Sequence, residues 1–115
     1  MAGYIAVDLD GTLASYEHWI CEEYVGEPII PTIRLVQHLL TNGYDVRIFT
    51  ARVAGKTPPE LEKITRAIDA WCIKHIGRAL PITCIKDYNM IVLYDDRCVQ
   101  MIPNTGRRAD GEALI

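Results

Sequence analysis

The chain has 115 residues, half of them apolar and 23% charged, with a formal net charge of -3. That length suits one compact domain, 1–115, and the composition is far from that of a disordered chain. The slight acidic balance gives no electrostatic footprint for nucleic acid beyond a local basic patch. No apolar run reaches the roughly 18–20 residues of a membrane helix.

The opening "MAGYIAVD" lacks the basic region of a signal peptide, so the expectation is a cytoplasmic chain with reduced thiols. Cys21, Cys72, Cys84 and Cys98 form no CxxC pair. Cys72 and His75 fall three apart on an expected helix, where a buried thiol beside a helix-end histidine outweighs a metal pair.

"YIAVD" (4–8) reads as a buried parallel strand, apolar on both faces. Residues 31–43 read as a helix with Pro31 in its first turn, a stripe of Ile33, Val36, Leu39 and Leu40, and a stop at Asn42-Gly43. "DVRIFT" (45–50) is the next strand. Residues 57–77 form the longest expected helix. Thr57 and Glu60 make a capping box, Pro58 opens it, and Leu61, Ile64, Ile68, Trp71, Cys72 and Ile76 face inward. "PITCI" (81–85) and "MIVLY" (90–94) are strands, "VQMI" (99–102) is a candidate fifth, and the tail reads as loop. This order predicts an α/β fold: a Rossmann-like three-layer α/β/α sandwich with a mainly parallel sheet.

In open sheets of this kind, sites form outside the carboxyl ends of the strands. Polar residues collect at four such ends: Asp8-Leu9-Asp10-Gly11-Thr12, Thr50-Ala51-Arg52, Lys86-Asp87 and Asp95-Asp96-Arg97. Asp8, Asp10 and an acidic residue from 95–96 in one crevice repel one another unless a cation sits among them. Mg2+ suits such oxygen donors together with waters and substrate phosphate. Thr50 and Lys86 can then hold phosphate oxygens. One aspartate of the pair can attack phosphorus while the other handles protons. Arg52 and Arg97 read equally as phosphate contacts or surface ion pairs. Asp87 reads as a turn residue, His38 and His75 as structural or solvated, and Arg107 and Arg108 as a solvated tail.

"DLDGT" resembles the DxDG[TV] signature of the haloacid dehalogenase-like hydrolase superfamily. "IFTAR" resembles its second motif. Lys86, nine residues before Asp95, stands where the third motif has its lysine, and "VLYDD" resembles the fourth. The resemblance covers residues 5 to about 98. It implies a Mg2+-dependent phosphatase with Asp8 as nucleophile and metal ligand. Asp10 would be general acid/base and would bind metal through its backbone carbonyl. Thr50, with Ala51 and Arg52 beside it, and Lys86 would hold the phosphoryl group. Asp95 and Asp96 would complete the metal shell.

The short 13–30 loop implies a capless member, whose site is covered by oligomerisation or by the substrate. Tyr16, His18 and Trp19 in that loop either touch substrate or pack the loop down. "DDR" (95–97) also resembles the phosphatase domain of phage polynucleotide kinase. The implied partner is a phosphorylated small molecule or nucleic-acid end. The alternatives are a receiver-like phospho-aspartate module, whose motif order differs, and a catalytically silent binding relative. A dehalogenase has no need of the lysine and the second acidic pair.

Overall fold

The computed structural model describes residues 3–115; the first two residues of "MAGYIAVD" lie outside them. Strand β1 (Tyr4–Asp8) leads to helix α1 (Ile30–Thr41), strand β2 (Val46–Phe49), helix α2 (Pro58–His75) and strands β3 (Ile82–Thr83) and β4 (Met90–Tyr94). The four strands form one parallel sheet in the order β3-β2-β1-β4. The expected α/β class with a parallel sheet is therefore present.

The capping signals act as the sequence implies. The Thr57 hydroxyl accepts from the Glu60 backbone N–H, and the Glu60 carboxylate accepts from the Thr57 backbone N–H at 3.1 Å. At the end of α1 the Asn42 backbone N–H donates to the His38 carbonyl, and Gly43 follows at φ 81°.

Chain direction explains how the layers form. Strands β1, β2 and β3 step outward the same way, so right-handed crossovers put both helices on one face. Val7, Val46 and Ile48 from the sheet pack there with Ile33 and Val36 of α1 and Ile64, Ile68, Trp71 and Cys72 of α2. Among the described residues no helix forms the expected third layer on the other face. The β3–β4 connection, residues 84–89, is too short for a crossover helix. It crosses the second face over Tyr4, which is 1% exposed, stacks under Arg47 at 4.0 Å and donates its hydroxyl to the Ile85 carbonyl.

Three other expectations change. Strand 81–85 shrinks to two residues because the Thr83 hydroxyl accepts from the Ile85 N–H and turns the chain away. Leu61 then faces the open space beside this short edge and is exposed. The candidate fifth strand is β5 (Met101–Ile102), which pairs antiparallel with β6 (Arg107–Arg108) in a separate hairpin. Asn104 and Gly106, both at positive φ, make its turn, so the tail is not all loop. Arg108 pairs with Asp110 there. Cys72 is buried, which pushes its thiol up to about 12, and the His75 ring packs 4.8 Å from that of Trp71; neither suits a metal pair. No described helix is long and apolar enough to cross a membrane.

Candidate active site

The sheet's carboxyl edge forms a cleft of about 590 Å³. Asp8 stands at the end of β1, half-buried, and Leu9 turns the other way into the core at 0% exposure. That alternation leaves Asp8 and Asp10 on the cleft side. The chain then reverses at once, with the Gly11 N–H donating to the Ala14 carbonyl and the Leu13 N–H to the Asp8 carbonyl. Gly11 is required twice over. Its φ is 90°, and a Cβ there would collide with the Asp96 carboxylate.

Asp95 and Asp96 follow β4, the neighbour of β1. One carboxylate oxygen each from Asp8, Asp95 and Asp96 lie within 4.8 Å of one another. The Thr12 hydroxyl lies between them, 3.2 Å from Asp96 Oδ1 and 3.5 Å from Asp8 Oδ2. The Arg97 backbone N–H fixes Asp95 Oδ1 at 2.9 Å. Burial, and then the negative neighbours Asp96, Asp95 and Asp10, push the Asp8 carboxyl from its ordinary 3.8 up to about 7. Three carboxylates offer the all-oxygen donor type that hard divalent cations take.

The Asp10 side chain is not part of that set. Its two oxygens accept from Arg52 Nε and Nη2, each at 2.8 Å. Any metal contact from Asp10 therefore falls to its backbone carbonyl. Thr50, 1% exposed, directly follows β2 and caps a 3-10 turn over Ala51–Val53 by accepting from the Arg52 backbone N–H at 3.2 Å. The turn keeps Thr50, Ala51 and Arg52 against the cleft, and the Thr50 hydroxyl hydrogen stays able to donate.

Lys86 is placed differently from the expectation. It stands exposed in the 84–89 connection and does not line the cleft. The ST-turn after β3 explains this, since it sends the chain back across the sheet. Lys56, in the loop before α2, does line the cleft, paired with Glu22. Sequence reasoning missed Lys56 because its loop carries no motif; the only signal was a lysine shortly after the second strand end.

The loop after Ala14 forms the other wall. The Ser15 N–H donates to the Glu27 carbonyl at 2.7 Å, and Trp71 Nε1 donates to the Gly26 carbonyl at 2.8 Å. Gly26 lets the two arms meet, because a Cβ there would collide with the Ser15 carbonyl. Tyr16 and Trp19 face the cleft half-exposed, and Trp19 lies 5.2 Å over the Arg52 guanidinium. His18 lines a smaller pocket, about 210 Å³, that shares Asp10, Tyr16 and Arg52 with the cleft.

Scans against protein-family models and against curated proteins find no match. Among solved structures the chain is similar to a conserved protein coded by a locus of Bacteroides thetaiotaomicron. The TM-score is 0.58 and the identity 20%, over 90% of this chain and 84% of that one. At that identity the likeness establishes the fold, a Rossmann-like α/β arrangement, and nothing of the chemistry.

Proposed function

We propose that this chain is a Mg2+-dependent phosphohydrolase of the haloacid dehalogenase-like type, acting through an aspartyl-phosphate on Asp8. The observation that carries this reading is the convergence of Asp8, Asp95 and Asp96 beside Asp10 and Thr50 at one sheet edge. Asp8, Asp95, Asp96 and the Asp10 carbonyl would hold the cation. Bound there, Mg2+ supplies positive charge that offsets the carboxylates and the phosphoryl oxygens.

An ionised Asp8 oxygen attacks phosphorus, and the bond from phosphorus to the leaving oxygen breaks. Asp10 gives that oxygen a proton. Water then attacks the phosphorus of the aspartyl-phosphate, Asp10 takes its proton, and the phosphorus–Asp8 bond breaks to release phosphate. The Thr50 hydroxyl donates to a phosphoryl oxygen throughout. The open cleft, with Tyr16 and Trp19 at its lip, suits a nucleotide, a nucleic-acid end or a small phosphate ester.

The test is phosphate release with Mg2+ across nucleotides, sugar phosphates and 3′-phosphorylated oligonucleotides, with Asp8→Asn as the blank. Release from at least one class, abolished in the variant, supports the reading. Full activity in Asp8→Asn removes Asp8 as nucleophile.

A further inference from the structure

We infer that Arg52 is a positioning residue: it fixes the Asp10 carboxylate and ties it to the 19–22 lip of the cleft. The inference rests on the proposed phosphohydrolase chemistry, in which Asp10 carries the protons. Four of the five guanidinium donors are already used. Nε and Nη2 hold the two Asp10 oxygens. Nη1 donates to the Glu22 carbonyl at 2.8 Å and the Cys21 carbonyl at 3.3 Å. Trp19 covers one face of the group, and Arg52 is 7% exposed. A guanidinium so committed has little left to offer a phosphoryl group.

The fork geometry also gives Arg52 a specific task. A two-point grip fixes the plane of the Asp10 carboxylate and leaves each of its oxygens a second lone pair for a proton on the reacting group. A lysine, as a single point of charge, cannot do that. The same guanidinium fixes the backbone of the lip, and the Lys56–Glu22 pair adds a second anchor to it. Lip and acid/base group are therefore placed by one side chain.

The experiment compares Arg52→Gln, Arg52→Lys, Asp10→Asn and the Asp10→Asn/Arg52→Gln double variant, each with its melting curve. A positioning role predicts that kcat falls by about 10²-fold in Arg52→Gln, the lower end of what general acid–base catalysis supplies. Arg52→Lys fails to rescue it. The double variant is no slower than Asp10→Asn alone, and inhibition by inorganic phosphate stays within about twofold of wild type. Additive losses with weakened phosphate inhibition would overturn the inference and make Arg52 a phosphate ligand.

A second readout does not depend on turnover. Arg52→Gln should speed limited proteolysis within residues 16–25 and shift Trp19 emission, while the melt stays cooperative. Unchanged cleavage overturns the anchoring. An active wild type with additive variants defeats this inference alone. A wild type that releases no phosphate defeats the proposed function and the positioning role with it, leaving proteolysis to judge the anchor.

Discussion

Replacing Asp8 by asparagine should stabilise the metal-free protein, and more so as pH rises. The Asp8 carboxyl titrates near 7 in the fold against an ordinary 3.8, chiefly because it is buried and then because Asp96, Asp95 and Asp10 surround it. Between those two values the folded state holds a proton that the unfolded chain has released. Wild-type stability therefore falls as pH climbs from about 4 to about 7. The shift from 3.8 to about 7, at about 1.4 kcal/mol per unit, sets a ceiling of about 4 kcal/mol. Asp8 is only half-buried, and solvent screening brings that to about 2 kcal/mol. Asparagine keeps the shape of the protonated acid and cannot ionise. Asp8→Asn should then gain about 2 kcal/mol at pH 8, or about 8 °C in Tm for a domain of this size, and less than about 1 kcal/mol at pH 5. Thermal melts in EDTA at both pH values check this. An equal gain at both, or a loss at pH 8, refutes the account of a strained carboxylate cluster.

Other outcomes follow from the same geometry. Millimolar Mg2+ should raise the wild-type Tm at pH 8, and the rise should shrink in Asp95→Asn and Asp96→Asn, read by calorimetry. Gly11→Ala should lose at least about 1 kcal/mol and most of its Mg2+ response, because a Cβ collides with Asp96 at a φ of 90°; denaturant titration with and without Mg2+ measures both. Trp71→Phe removes the bond to the Gly26 carbonyl and should cost about 1 kcal/mol with faster proteolysis of the 15–27 loop. Lys56→Ala should weaken phosphate inhibition more than Lys86→Ala does; the reverse order would favour the motif-based assignment of Lys86.

The sheet, both helices and their caps were legible because each rests on a local signal: the apolar runs at 4–8 and 90–94, Pro31, and the Thr57–Glu60 box. The carboxylates were legible because four strand ends carried polar groups in one order. What the sequence hid depends on contacts across the fold. The length of β3 is decided by one Thr83 hydroxyl turning the chain. The non-helical second face follows from a short connection whose direction only strand order reveals. Arg52 read equally as a phosphate contact or an ion pair, and only the meeting of the second strand end with Asp10 and the Cys21–Glu22 backbone separates them. Lys56 reaches the cleft because its loop folds toward Glu22, which no spacing encodes.

Trapping the covalent intermediate tests the central claim most directly. A substrate that shows Mg2+-dependent turnover would be mixed with the enzyme and quenched within one turnover. Borohydride would then reduce any acyl phosphate, and the peptides would be mapped by mass spectrometry. The account predicts reduction of Asp8 to homoserine, dependent on Mg2+ and substrate and absent in Asp8→Asn. Turnover without modification at Asp8, or modification at Asp10, Asp95 or Asp96 instead, would contradict it.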